Sequence, residues 1–235
     1  VTATVAENVN YKSATSDPFS FTITKENSTI FAIGDKNYTY KGSAQGPNST
    51  TGVTGSTGAI TFSYQGTGST TYGPSVTAPA NSGSYQVIAT VASDVNYNAA
   101  SSPAFEFTIT KASVDLRITG NTSYTYIANA QGPNSTNLSG SNTAIKYAYS
   151  GINGTTYGPS ATRPTLVGTY NVVATSTEDA NQFGANSDVY EFTIIKAASS
   201  IAVLGTAAYV YNESAQGPND KNLTGSTGLV TYSYS

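Results

Sequence analysis

The chain repeats itself with a period of about 85 residues. The string Ala-Gln-Gly-Pro-Asn occurs three times, with its glutamine at Gln45, Gln131 and Gln216. A second string, Phe-Thr-Ile followed by Thr or Ile and then Lys, ends at Lys25, Lys111 and Lys196. Both strings have spacings of 86 and 85 residues (131−45 and 216−131; 111−25 and 196−111). Two independent strings that share one period indicate a tandem array of similar structural units.

The repeat lysines divide the chain into four predicted segments. They are the C-terminal part of a repeat (1–25), two complete repeats (26–111 and 112–196) and the N-terminal part of a further repeat (197–235). A unit cut in half cannot close its own core, so we expect the natural parent to continue the pattern in both directions.

Each repeat is predicted to be all β. Apolar residues alternate with polar ones in several short stretches, which are Ile60–Tyr64, Tyr85–Val91, Phe105–Ile109 and Val114–Ile118. Such alternation places one face of a strand in a core. Glycine and proline between the stretches, at Gly46, Pro47, Gly132 and Pro133 among others, are typical of chain reversals. The pattern predicts tandem immunoglobulin-like antiparallel β-sandwich repeats of about 85 residues.

A Gly-x-Tyr sequence stands before an apolar strand in both complete repeats, at Gly83 and Tyr85 and again at Gly168 and Tyr170. This arrangement is similar to the tyrosine corner of immunoglobulin-like sandwiches. We expect both tyrosines to be buried, with each hydroxyl bonded to backbone upstream.

Composition excludes several classes of site. The chain has no His and no Cys, so thiolate, zinc, haem and Ser-His-Asp chemistry cannot be assembled. Ten basic residues against 13 acidic ones give a net charge of −3, which does not favour nucleic acid or an anionic membrane as a partner. No stretch is long and apolar enough to insert in a membrane. We expect no cofactor and no enzymatic activity.

Several motifs together resemble the MBG type of bacterial immunoglobulin-like repeat. They are Gln-Gly-Pro, Thr-Gly-Ser-Thr-Gly-x-Val-Thr-Tyr-Ser-Tyr at 224–234, Thr-x-Tyr, Gly-x-Tyr-x-Val, Asp-x-Asn-Tyr at 94–97 and Phe-Thr-Ile. The resemblance implies tandem arrays in very long exported surface adhesins, often of Bacteroidetes, of which the giant gliding-motility adhesin (SprB-like) is one example. One departure is Gln182-Phe183 where an aromatic residue should follow Asn181, which suggests a one-residue shift in that loop.

An acidic pair recurs with a separation of 12 residues, as Asp94 with Glu106 and Asp179 with Glu191. Paired carboxylates could serve a glycosidase, but the tail repeat has Asn8 and Ser20 at these places. We therefore interpret the aspartates as turn caps and the glutamates as solvated strand residues. A weak calcium site is the alternative, with Asp94, Asn96, Asp179 and Asn181 as its candidate ligands.

Two other recurrent features have simple interpretations. The repeat lysines are expected to be solvated linker residues rather than partners in an isopeptide bond. The strand tyrosines, Tyr64 and Tyr149 among them, are expected to be packed in or near the core rather than to form a sugar-stacking platform.

The sequence therefore predicts a structural stalk or spacer in an extracellular adhesin on the bacterial cell surface. The positions shared between repeats are mainly apolar, Gly, Pro and Tyr, which favours this role over a reused binding site. The alternative is a repeated glycan- or protein-binding module that acts by avidity. Expected partners are neighbouring repeats of the same chain and other cell-surface or secretion-system proteins.

Overall fold

The computed structural model describes residues 1–140 and 144–235, which divide into two compact units, Val1–Ala112 and Ser113–Ser235. The division falls one residue after the boundary predicted at Lys111. Regular secondary structure in the described residues consists of strands only. No helix in those two ranges has the length and apolarity to cross a membrane.

The first unit contains nine strands. They are β1 (Thr4–Val5), β2 (Ala14–Thr15), β3 (Thr29–Ile33), β4 (Asn37–Thr39), β5 (Ser49–Thr54), β6 (Ile60–Gly66), β7 (Gly83–Val91), β8 (Ala100–Ser101) and β9 (Phe105–Thr110). Strands β1 and β2 form a separate two-stranded sheet. The remaining seven strands build one complete repeat.

This repeat is a two-layer sandwich. One sheet contains β3 and β5, and the other has the order β4-β9-β7-β6, with β8 beside β7. All pairs are antiparallel except β4 and β9, which run parallel. The predicted all-β fold is confirmed, but the direction of β4 could not be predicted because alternation does not depend on strand direction.

The core of the first repeat lies between the two sheets. Strand β7 supplies every second residue from Tyr85 to Val91, and each of these side chains is at most 2% exposed. Ile30 and Ala32 face them from β3 of the other sheet, and Phe107 and Ile109 lie beside them on the neighbouring strand β9. Packing of these faces removes apolar surface from water and stabilises the sandwich.

The second unit repeats this plan. Its strands are β10 (Asp115–Thr119), β11 (Ser123–Thr125), β12 (Ser135–Ser139), β13 (Ile145–Ile152), β14 (Gly168–Ser176), β15 (Ala185–Asn186), β16 (Tyr190–Ile195), β17 (Ser200–Leu204) and β18 (Asp220–Thr224). Strand β10 pairs with β12, and the larger sheet has the order β11-β16-β14-β13 with β15 beside β14. Strands β17 and β18 form a hairpin of their own.

Three of the predicted apolar stripes are not buried along their whole length, and one of them is Phe105–Ile109, in which Phe105 is only half-buried. Ile60 is 40% exposed and Phe62 is half-buried, because they lie on β6, the edge strand of its sheet. Val114 precedes β10 and is also only half-buried, whereas Leu116 and Ile118 lie in the core. The prediction that each stripe is a fully buried face is therefore wrong at these ends.

Replacement of Phe107 by Ala should destabilise the first unit. Phe107 is 2% exposed, and its ring centroid lies 5.8, 6.3 and 5.5 Å from those of Tyr38, Tyr64 and Tyr85. Loss of a buried phenylalanine leaves a cavity, so the free energy of unfolding should fall by about 3–5 kcal/mol. Denaturant unfolding of the whole chain measures this change. The control is Phe19→Ala at a position 71% exposed, and equal effects of the two substitutions would contradict the assignment.

Candidate functional site

The loop 94–98 contains the predicted ligands and lies against the linker that enters the repeat. Asp94 Oδ1 accepts hydrogen bonds from the backbone N–H groups of Asn96 (2.9 Å) and Tyr97 (2.8 Å). Asp94 Oδ2 accepts one from the N–H of Thr57 at 3.0 Å. The carboxylate thus closes a turn and ties it to the connection between β5 and β6, the capping role expected of such a residue.

The same turn occurs in the other two copies of the motif. In the tail, Asn8 Oδ1 accepts from the N–H groups of Asn10 and Tyr11, both at 2.9 Å. In the second repeat, Asp179 Oδ1 accepts from those of Asn181 and Gln182, both at 2.7 Å. Since an amide oxygen serves as well as a carboxylate, the shared function of this position is hydrogen-bond acceptance and not charge.

The expected one-residue shift in the second loop is wrong. Gln182 occupies the place of Tyr97, is 6% exposed and donates from Nε2 to the carbonyl oxygen of Gly140 at 2.6 Å. Phe183 is 49% exposed. A buried amide replaces the aromatic ring, and the turn keeps its length.

Hydrogen bonding holds the pKa of Asp94 at about 2, below its usual value of 3.8, with the backbone N–H of Thr57 as the largest cause and that of Asn96 next. Donors that bind the ionised form favour it over the protonated one. Asp94 therefore remains a carboxylate acceptor at all but strongly acid pH.

The recurring acidic pair is not brought together. Glu106 is exposed and stands opposite Gln86 in the ladder of β7 and β9, whereas Asp94 lies beyond the end of β7 at Val91. The five steps along the strand from Gln86 to Val91 alone span about 16 Å. Carboxyl groups of glycosidases are about 5–9.5 Å apart. In the second repeat Glu191 stands opposite Asn171 in the same way.

The residues described contain no group of three or more His, Cys, Asp or Glu side chains placed to hold a metal ion. Calcium takes six to eight oxygen ligands. Asp94 and Asn96 provide one carboxylate and one amide, and the carboxylate oxygens already accept backbone N–H groups.

Residues 25–28 and loop 94–98 together form what we call the linker joint. Glu26 pairs with Tyr97 as a parallel bridge, since the N–H of Glu26 donates to Asn96 O (3.0 Å) and the N–H of Asn98 donates to Glu26 O (2.8 Å). Ser28 Oγ donates to Asn98 O at 2.6 Å. The linker is therefore held by backbone hydrogen bonds at its point of entry.

Lys25 also belongs to the linker joint. Its Nζ donates to the backbone carbonyl of Asp94 at 2.5 Å, so this lysine is a hydrogen-bond donor to the loop rather than only a solvated residue. No carboxylate is the partner in this contact, and an isopeptide bond would require one.

The Gln-Gly-Pro loop connects the edges of the sandwich. Gln45 Nε2 donates to Thr39 O at 3.0 Å, and Tyr64 OH donates to Pro47 O at 2.7 Å. A Cβ on Gly46 would lie 3.0 Å from Phe107 Cζ, and the φ of Gly46 is +155°. Glycine is needed because the aromatic ring packs directly on the backbone.

The second repeat has the same loop. Gln131 Nε2 donates to Thr125 O at 2.7 Å, and Tyr149 OH donates to Pro133 O at 2.5 Å. A Cβ on Gly132 would lie 2.7 Å from Phe192 Cζ. Burial raises the pKa of Tyr149 to about 12, so its hydroxyl stays protonated and remains a donor.

The Gly-x-Tyr positions have tyrosine-corner geometry. Tyr85 is 2% exposed and its hydroxyl donates to Asn81 O at 2.8 Å; Tyr170 is 1% exposed and donates to Leu166 O at 2.7 Å. A Cβ on Gly83 would lie 2.8 Å from the Thr70 side chain, one on Gly168 would lie 2.6 Å from Thr155 Cγ2, and each would lie 3.1 Å from the tyrosine hydroxyl two residues later. The glycine therefore leaves room for the hydroxyl.

Sequence reasoning missed Ser28 and Asn98 in the linker joint. Ser28 corresponds to Val114 in the second repeat and to Ser199 in the third, so the repeats gave only a partial signal for it. The parallel bridge of Glu26 with Tyr97 leaves no mark in the alternation pattern, because it involves one residue pair.

Acid should remove the stability that Asp94 supplies. Its folded pKa is lowered, so this stability is complete above about pH 4 and is lost as the pH falls toward 2. The unfolding midpoint of the Asp94→Asn variant should therefore change less between pH 5 and pH 2 than that of the parent chain. The control is Glu106→Gln, which removes the same charge from an exposed strand position, and parallel pH profiles for D94N and the parent would contradict the assignment.

Loss of the Tyr64 hydroxyl should destabilise the first repeat. In Tyr64→Phe the carbonyl of Pro47 keeps its burial but loses its donor, and an unpaired buried acceptor costs about 1–3 kcal/mol. Tyr72→Phe is the matched control, because the Tyr72 hydroxyl bonds to Thr77 O at 2.7 Å at an exposed position. Similar denaturation midpoints for the two variants would show that the Gln-Gly-Pro loop does not depend on this bond.

A family model matches one stretch of the chain. Residues 30–113, which include most of the first complete repeat, match the model described as MBG domain. A solved structure of Drosophila N-cadherin EC1-3 is similar over 74% of this chain and 69% of that chain, with 10% sequence identity and a TM-score of 0.27. The comparison with curated proteins found no match.

Proposed function

We propose that the repeats of this chain are load-bearing spacers in the stalk of an extracellular adhesin on a bacterial surface. The MBG match of residues 30–113 and the tandem repetition support this proposal. Under it the partners are neighbouring repeats, together with cell-surface or secretion-system proteins of the bacterium. A gliding-motility adhesin is one expected parent.

The observation that carries the proposal is the parallel pairing of β4 with β9. Strand β4 lies near the start of the repeat, and β9 is its last strand. Tension on the two ends pulls β4 and β9 in opposite directions along their common axis. Neighbouring parallel strands then slide, so their hydrogen bonds are strained together instead of breaking one after another.

The hydrogen bonds across this pair involve backbone and side chains. Thr108 N–H donates to Lys36 O at 2.8 Å, and Tyr40 N–H donates to Thr110 O at 2.9 Å. Thr110 Oγ1 adds a bond to Tyr38 O at 3.1 Å. These hydrogen bonds lie at both ends of β4, so β4 stays paired with β9 and the core remains covered until they break.

The second repeat has the equivalent pair, β11 with β16. Thr193 N–H donates to Thr122 O and Tyr126 N–H donates to Ile195 O, each at 2.9 Å. Recurrence of the same bonds supports a mechanical function that each copy performs separately.

The linker joint is compatible with the same function. Residues 25–28 are held against loop 94–98 by backbone hydrogen bonds and by one bond from the Ser28 side chain. Both segments lie in the first unit, so these bonds fix the point at which the chain enters that unit.

The rival hypothesis, a glycan-binding module, needs exposed aromatic faces. Tyr64 and Tyr149 are 3% and 1% exposed and pack against Phe107 and Phe192. These two rings are core residues, and Tyr38, Tyr40 and Tyr147 are half-buried, so the tyrosines of the two complete repeats support the spacer over a sugar platform. Tyr234 in the last segment is 63% exposed, against the expectation of packing.

Single-molecule pulling in two directions tests the proposal. End-to-end pulling of the whole chain shears β4 against β9. The chain has no cysteine, so a Lys36→Cys, Glu106→Cys variant provides handles at neighbouring ends of β4 and β9, and pulling there peels the strands apart. We expect the unfolding force of the first repeat to be several times higher in the shearing direction.

The control is end-to-end pulling of the same double-cysteine variant, which separates the effect of direction from that of the substitutions. Equal forces in the two directions would overturn the load-bearing function while leaving the fold unchanged.

A further inference from the structure

Strand β6 is the edge strand of its sheet, and part of that edge is open. Tyr64 exchanges backbone hydrogen bonds with Ser75 on the side away from β7, at 2.8 and 2.9 Å. In an antiparallel ladder every second residue directs its N–H and C=O to the same side. The backbone groups of Ile60 and Phe62 therefore point to this outer side, and no strand among residues 1–140 and 144–235 pairs with them there.

A groove of about 610 Å³ runs beside this open edge. Ile60, Thr61 and Phe62 all line it, together with residues of loop 41–48 and of the segment 76–78. Side chains of consecutive strand residues alternate between faces, so three consecutive residues can line one groove only along the strand edge. The groove thus gives space for another strand beside β6.

Within β6 itself the edge carries no guard against strand addition, although Lys41 lines the groove beside it and Ser75 covers the edge at Tyr64. Natural edge strands are commonly guarded by lysine, proline or a bulge. Residues 60–66 of β6 contain no charge and no proline, and their register with β7 is uninterrupted.

The second repeat has a basic residue at two positions that correspond to the open edge and its groove. Lys146 replaces Thr61, and Arg163 replaces Ala78. Arg163 Nη1 donates to Gly132 O at 3.5 Å, which places its side chain against the loop that corresponds to the groove wall. The open edge is therefore a property of the first complete repeat.

We propose that β6 of this repeat pairs antiparallel with β6 of a second copy of the chain. Ile60 and Phe62, whose backbone groups point to the outer side of the sheet, lie directly before and after Thr61. A two-fold axis at Thr61 therefore places Ile60 of each copy opposite Phe62 of the other. Each of these two pairs exchanges two backbone hydrogen bonds. Thr61 then faces its own equivalent, and the two five-stranded sheets become continuous.

Charge favours a second copy as the occupant. A strand that pairs with itself brings identical residues together at the axis, and the uncharged Thr61 meets no repulsion there. In the second repeat the same pairing would oppose Lys146 to Lys146, and like charges directly opposite are destabilising. The surface is self-complementary, as a two-fold interface requires.

Cysteine cross-linking tests the register directly. In the proposed dimer the two Thr61 Cα atoms form a non-hydrogen-bonded pair about 4.5 Å apart, within the range of a disulfide. Ser63 lies on the same exposed face, but the two copies of Ser63 are offset by four residues, about 13 Å. We expect Thr61→Cys to form a disulfide-linked dimer at least tenfold faster than Ser63→Cys at equal concentration in a glutathione buffer.

A blocking substitution provides the second arm. Ala78→Arg, which copies the residue of the second repeat, should fill the groove and reduce the cross-linking rate of Thr61→Cys to that of Ser63→Cys. An unchanged unfolding midpoint verifies that this variant is folded. Equal rates for the two cysteine variants, or a Thr61→Cys rate unaffected by Ala78→Arg, would overturn the proposal.

The same samples distinguish other occupants. Amide chemical shifts of Ile60 and Phe62 should change with protein concentration in the parent chain. Self-pairing would be overturned if these chemical shifts did not depend on protein concentration but changed on addition of a ligand. A response to a peptide of residues 28–34 would assign the groove to a separate strand, and a response to a chitin oligosaccharide would assign it to a sugar.

Discussion

Packing of tyrosine rings around a single phenylalanine is the interaction on which each complete repeat depends. Phe107 and Phe192 each hold one tyrosine stacked at 5.5 Å and two others edge-to-face. The stacked tyrosine closes the corner before the central strand, and one edge-on tyrosine holds the Gln-Gly-Pro loop through its hydroxyl. Aromatic rings thus supply both apolar area and directed hydrogen bonds in a chain without disulfides.

Much of this fold could be predicted because its determinants are local. Alternation from Tyr85 to Val91 identifies the central strand, and the glycine before Tyr85 marks the corner since a side chain there would meet the tyrosine hydroxyl. The Asp94 turn was also predictable, because an Asx residue bonds to amides two and three positions later.

The remaining features depend on contacts between distant segments. Strand β4 has three residues, and nothing in Asn37–Thr39 indicates that its neighbour is β9 or that the pair is parallel. Exposure of Ile60 follows from the edge position of β6, which is a property of the sheet and not of the strand. The linker joint likewise needs Ser28 and Asn98, which are 70 residues apart.

The two complete repeats have separate hydrophobic cores, one around Phe107 and one around Phe192. Rupture of one core leaves the contacts of the other intact, so damage stays confined to the copy where it began. An opened copy of 86 residues (26–111) releases up to about 300 Å of slack polypeptide. Under the proposed spacer function, a sudden pull is then absorbed as heat and added length in one copy, while the other copies stay folded.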